Sequence, residues 1–226
     1  MTRSVVFTFL ILFSIPLAAA QVITSQKEAE RIYRLSKEED KTSRGYFANS
    51  DKCRDMLKAE ELAKAEVACR LSLSFAEKLP PRRYMERRSA NQLLGIVLFR
   101  RNDTKNAIVY FEKALEAGKS GLSDSNAETG DTYFLLAKAN HSLRRFDIAS
   151  GFYTKAENTY RAAFANMIDL DDGDFLLKQY ATILGNILRS HLVLADDADM
   201  NEMVLKLREK IAKYEFEFAD YLKEVD

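Results

Sequence analysis

Cys53 and Cys69 are the only two cysteines in the 226-residue chain. A separation of 16 residues fits neither a Cys-x-x-Cys redox pair nor a zinc-ligand pattern. What remains open to them is a structural disulfide or a pair of buried free thiols. His141 and His191 are the only histidines, and neither belongs to a His-Glu-x-x-His set or a His/Cys cluster. Asp169, Asp171, Asp172 and Asp174 surround Gly173 somewhat as in a calcium loop. The glycine stands in the wrong place for an EF-hand and no closing Glu follows, so ending one helix and capping the next explains them better. Arg82, Arg83, Arg87 and Arg88 form a basic run, joined further on by Arg100 and Arg101. It reads as a solvated face balanced by nearby Glu, or else as a patch for an acidic partner. No nucleophile-base-acid set, phosphate loop or metal cluster can be assembled from these residues. No catalytic or metal-ligating residue is therefore assigned, no cofactor is expected, and the chain reads as a non-enzymatic protein.

The elements that must carry these groups are helical. Gly (8) and Pro (3) are scarce, while Ala, Leu, Glu, Lys and Arg are abundant. Charged residues make up 30% of the chain with a formal balance of +0, so no overall field favours nucleic acid. At the N-terminus, Arg3 precedes an apolar stretch from Val5 to Leu17 and then Ala18-Ala19-Ala20. That order predicts a secretory signal peptide over 1–20, cut after Ala20, with export to the periplasm or beyond. The stretch is short for a membrane span of about 20 residues, and no stable membrane insertion is expected once it is removed. An oxidising compartment favours the disulfide for Cys53 and Cys69.

Ser25-Gln26-Lys27-Glu28 has the form of a capping box and predicts a separate N-terminal helix within 21–48, ended by Arg44-Gly45-Tyr46 and serving as a lid. Residues 51–79 are expected to fold back on themselves near Glu60 to Lys64, before Pro80-Pro81 stops the helix. Further helices are predicted over 81–101, 106–117, about 126–143 (capped at Ser125), 147–168, 175–194 and 200–223.

Internal comparison gives the architecture. Leu93-Leu94-Gly95 is followed by Ala107, Phe111 and Ala114. Leu135-Leu136-Ala137 is followed by Ala149, Tyr153 and Ala156, each at a shift of 42. This resembles the tetratricopeptide repeat, in which small residues let two antiparallel helices approach and an aromatic fills the space beside them. The usual repeat is about 34 residues, so the chain looks like the longer-helix variety of the kinesin light chains. Clear repeats run over about 85–121 and 127–163, and degenerate ones over 49–82 and 175–226. The resemblance implies an all-α, right-handed α-α superhelix of three to four helix pairs, with the N-terminal helix added and a repeat domain over 49–226.

The same resemblance implies a protein-protein interaction scaffold that binds a peptide or protein along its concave face. Gln92, Phe99, Arg100, Phe134, Lys138, His141, Asn186 and Arg189 would line that face, a mixture of aromatic and basic groups suited to an extended peptide with acidic character. The clamp with which some family members hold the acidic tail of a chaperone is absent: its positions carry Cys53, Leu57, Leu93, Asp131 and Leu135. A small-ligand-binding or enzymatic protein is the alternative. In the last helix, Val204, Leu207, Ile211, Tyr214, Phe218, Tyr221 and Val225 alternate at spacings of four and three. That seam is either packed on the last repeat or a homodimer contact.

Overall fold

The computed structural model describes the backbone of residues 6–119, 121, 126–166 and 174–222, with side chains from residue 27 onward except 174, 175, 220 and 221. Asp169, Asp171, Asp172 and Gly173 lie outside the described residues, as does Ser125. The described elements are helices: α1 (Val6–Lys58), α2 (Leu62–Ala76), α3 (Tyr84–Arg100), α4 (Thr104–Gly118), α5 (Ala127–Ser142), α6 (Phe146–Ala165), α7 (Asp174–Asp197), α8 (Asn201–Glu217) and the short α9 (Ala219–Leu222). Each odd helix from α1 to α7 packs on the next to make a hairpin, and α2 on α3, α4 on α5 and α6 on α7 join the hairpins into a stack. Among the described residues the protein is an all-α solenoid of four helix pairs. No helix of the described residues is long and apolar enough to cross a membrane.

The expected break at Arg44-Gly45-Tyr46 is not there, because α1 runs through it without interruption. A glycine within a helix costs about 1 kcal/mol relative to Ala, and here the packing uses the space it leaves. A Cβ on Gly45 would stand 2.6 Å from a ring carbon of Phe75 on α2. Gly45 is the seat of an aromatic ring, and the segment expected to be a separate lid is continuous with the first helix of the first pair. Residues 27–38 of α1 are exposed, and its core contribution begins at Tyr46.

Each of the four hairpins turns in the same way. Glu60, Asn102, Arg144 and Asp199 have φ of 58°, 64°, 57° and 54°, the left-handed conformation that reverses a chain at a helix C-terminus. After each, the next amide donates back to the carbonyl five residues earlier: Glu61 to Met56, Asp103 to Leu98, Arg145 to Asn140 and Met200 to Ala195, all at 2.9 Å. The left-handed residue itself donates three residues back, to Leu57, Phe99, His141 and Asp196. These four Schellman closures satisfy carbonyls that a helix end would otherwise leave unpaired. The α4 start is capped by Asp103 and that of α5 by Asn126, one residue later than the capping box placed it.

Between the arms of each hairpin a small residue faces a large one. Gly95 of α3 receives the ring of Phe111 so closely that a Cβ would meet it at 2.5 Å. Ala137 and Tyr153 hold the same places one repeat later, both buried. One repeat earlier those places belong to Cys53 and Cys69, which are joined in a disulfide with their Cα atoms 5.2 Å apart. In the fourth pair Gly185 faces the Tyr214 hydroxyl, which donates to Ala181 O at 2.6 Å. The left-handed residue follows the small one by seven positions in the first three pairs and by fourteen in the fourth. The last hairpin is therefore longer by about two helical turns. Its aromatic comes correspondingly later, which hides it from a search at the spacing of the inner repeats.

In the seam of the last helix, Val204, Leu207, Tyr214 and Phe218 are buried within the monomer and Ile211 partly so. Tyr221 and Val225 belong to the residues whose side chains are not described.

Candidate functional site

The arginine run is mostly internal bracing rather than a solvated face. Arg82 pairs with Glu39. Arg83 pairs with Glu86 at 2.5 Å and bonds Ser43 at 2.9 Å, tying α3 to α1. Arg87 donates to the carbonyls of Leu79 and Pro80 at 3.1 and 2.9 Å, supporting the Pro-Pro turn. Arg88 is buried, pairs with Glu128 at 3.0 Å and reaches Thr132 on α5. Burial lowers its pKa from the ordinary arginine value, opposed by the nearby carboxylates Glu128 and Asp131. Arg100 is also engaged: it donates to Leu57 O at 2.9 Å and pairs with Glu60 at 3.2 Å, closing the end of α1.

A cleft of about 500 Å³ opens where the C-terminal ends of α3, α5 and α7 meet the start of α6. Phe99, Phe146, Tyr153 and Val193 supply apolar wall. Lys138, His141, Arg144, Ser142, Ser190 and Asp197 supply the polar groups. Lys138 Nζ lies 5.6 Å from the centre of the Phe134 ring and Arg144 lies 5.5 Å from that of Phe146, which orients both cations without neutralising them. His141 Nε2 is 2.9 Å from Asp197 Oδ2, a contact spanning 56 residues. Asp197 and Val193 stand on the two additional turns of α7, so the longer last hairpin is what walls this end of the groove.

Beneath the cleft, the Tyr153 ring stacks on His191 at 5.2 Å and meets His141 edge-on at 6.5 Å. Burial pushes the Tyr153 phenol up to about 12 although Ser190 bonds it. His191 is buried, bonds Ser150 Oγ at 2.9 Å and is driven down to about 4 by burial. Of the cleft serines, Ser142 donates to Ala139 O and Ser190 is held by Tyr153.

Of the residues expected to line one groove, the structure brings Phe99, Lys138 and His141 together in this cleft. Phe134 stands behind Lys138, against Tyr153 at 6.0 Å. Gln92 faces a second, smaller cleft of about 290 Å³ with Arg88, Glu128 and Asp131. Asn186 and Arg189 bond each other at 3.4 Å on α7 and do not line the cleft, and Arg100 braces α1. Ser142, Arg144, Phe146, Tyr153, Ser190, Val193 and Asp197 were not anticipated as groove residues. Phe99 and His141 share a repeat register with Leu57, a signal that the sequence does carry. Asp197 has no such register, because the additional turns of α7 have no counterpart in the inner pairs.

Stacked antiparallel helix pairs with an open cleft on the side of the odd-numbered helices define an α-α solenoid of the repeat-scaffold class. The model of the tetratricopeptide repeat matches residues 86–162. Over those residues the chain carries tetratricopeptide repeats, which are in general protein-protein interaction scaffolds. No curated protein matches it. Among solved structures it is similar to BtubC (BKLC) from P. vanneervenii, with 13% identity over 82% of this chain and 95% of that one, at a TM-score of 0.42. It is also similar to the MamA protein, with 13% identity over 81% and 99% at 0.43. YrrB, described as a TPR protein with an unusual peptide-binding site, shares 18% identity over 83% and 95% at 0.41.

Proposed function

We propose that this protein is exported and works as a non-enzymatic scaffold that binds a peptide segment of a partner protein in the Phe99–Lys138–Arg144 cleft. The observation that carries the reading is the pairing of two cations that have no ion-pair partner among the described residues with a wall of Phe99, Phe146, Tyr153 and Val193. Most other arginines near the helix ends are engaged within the chain, so this place is electrostatically available to a ligand. Export rests on the Arg3, Val5–Leu17 and Ala18-Ala19-Ala20 order, and the Cys53–Cys69 disulfide agrees with an oxidising compartment.

Crosslinking capture of the mature protein from its own compartment tests the reading. Lys138→Glu should lose the partner that the wild-type protein recovers, and recovery of the same partner by the variant overturns the cleft as the binding surface. Sequencing the N-terminus of the exported form should begin at Gln21. An intact residue 1 on a cell-associated form contradicts the proposed processing.

A further inference from the structure

We infer that Asp197 is a resident stand-in for the partner's anionic group, so that binding in the cleft proceeds by displacing it from His141. The inference rests on the peptide-scaffold reading above and deepens it by naming the chemistry recognised. Three facts about placement carry it. Asp197 is the one carboxylate lining the cleft among the described residues, it reaches His141 at 2.9 Å, and its side chain is still more than half exposed. It stands at the last residue of α7, next to the left-handed turn at Asp199, on the added turns that no inner hairpin possesses. The third fact is the field it enters. Lys138 and Arg144 line the same cleft and neither has an ion-pair partner among the described residues. A solvent-reachable carboxylate in such a field competes with any anion that enters.

Arg144 stands at the left-handed turn position that Glu60, Asn102 and Asp199 hold in the other hairpins, and of these four residues it is the one that lines the cleft. The walls of Phe99, Phe146 and Val193 set the neighbour of the anion. The ligand that fits is an extended peptide with a carboxylate beside a bulky apolar residue, the carboxylate coming from a chain end or from a Glu or Asp side chain.

The test uses the mature protein and three fluorescein-labelled peptides read by anisotropy at low salt. One ends in Ala-Leu-Phe with a free carboxyl terminus, one is its carboxyl amide, and one is the amide with Glu placed before Phe. Asp197→Asn should bind at least one carboxylate-bearing peptide about tenfold tighter than the wild-type protein, with the neutral amide unchanged. Adding Lys138→Ala to that variant should remove the gain. Whichever carboxylate peptide responds identifies the chain end or the side chain as the source. Equal affinity of wild-type and Asp197→Asn for both carboxylate peptides, absence of binding by either protein included, overturns the inference. It leaves the scaffold reading intact as long as partner capture still depends on Lys138. If capture is indifferent to Lys138→Glu, the scaffold reading has failed instead.

Discussion

Cys53 and Cys69 occupy, in the first hairpin, the places that Gly95 and Phe111 occupy in the second and Ala137 and Tyr153 in the third. The separation of 16 residues that fits no redox or zinc pattern is the separation of the small and large partners across a hairpin. A covalent bond thus does at the end of the stack what a buried ring does within it. A bridge closing a loop of this size stabilises by about 3 kcal/mol in the chain-entropy model. Cys53→Ala with Cys69→Ala should lower the stability of the α1–α2 pair by roughly that amount in urea unfolding. Cys53→Gly with Cys69→Phe should recover part of the loss, since it writes the next repeat's contact into the first. No recovery over the double alanine would mean that the two sites are not equivalent.

Arg144 sets stability against binding. With φ at 57°, its side chain sits in a conformation that costs a non-glycine residue roughly 1 kcal/mol or more. Arg144→Gly should raise stability by about 1 kcal/mol while weakening capture of the partner. Glu60→Gly, at the same conformation outside the cleft, should give a smaller gain because it also removes the exposed Arg100 pair, with capture unaffected. Thermal melts beside a binding assay read both effects.

His191 makes the fold sensitive to acid. Burial depresses it from the ordinary 6.5 to about 4, opposed by Glu157 on α6 and reinforced by Lys210 on α8. The folded protein therefore holds fewer protons at this site than the unfolded chain between those values. The sign follows: stability is unaffected above pH 6.5, falls as pH drops from 6.5 to 4, and levels below that. The loss is of the order of 3 kcal/mol for this one group. His191→Gln, which keeps an acceptor for Ser150, should flatten the urea midpoint across that window. A wild-type midpoint constant from pH 7 to pH 4.5 would contradict the placement.

Arg88 should behave as a buried brace rather than a surface charge. Replacing it with Met keeps much of the volume but leaves Glu128 and Asp131 without their cation. Burial already raises the Asp131 pKa, partly offset by the Tyr160 hydroxyl and by Arg88. Arg88→Met is expected to cost about 3 kcal/mol, the lower end for a broken buried pair because Glu128 is half exposed. Arg82→Met, at an exposed pair, should cost less than about 1 kcal/mol. Equal costs in chemical denaturation would refute the distinction.

Much of the architecture was legible because it is periodic and local. The shift of 42 that relates Leu94, Gly95 and Phe111 to Leu136, Ala137 and Tyr153 determines the helix pairs, their order and the repeat class. Each of those residues needs only its hairpin partner to have meaning. The fold-back near Glu60 follows from the same local chemistry. Gly45 could not be read that way: a glycine that breaks a helix and one that seats Phe75 are the same letter, and only the second helix tells them apart. The cleft was partly legible for the same reason. Phe99 and His141 share a register and Lys138 lies one turn before His141, so periodicity reaches them. Which cations remain available is a tertiary matter. Arg100 and Arg144 look alike in the chain, yet one reaches Leu57 O and Glu60 across the hairpin stack and the other does not. Asp197 meets His141 only because α7 runs about two turns further before it reverses. The opposition of Gly185 and Tyr214 that keeps this longer hairpin in register joins residues 29 apart in sequence. Repeat spacing determines which helices pair, and the length of the last pair, visible only once the chain is folded, decides what stands in the cleft.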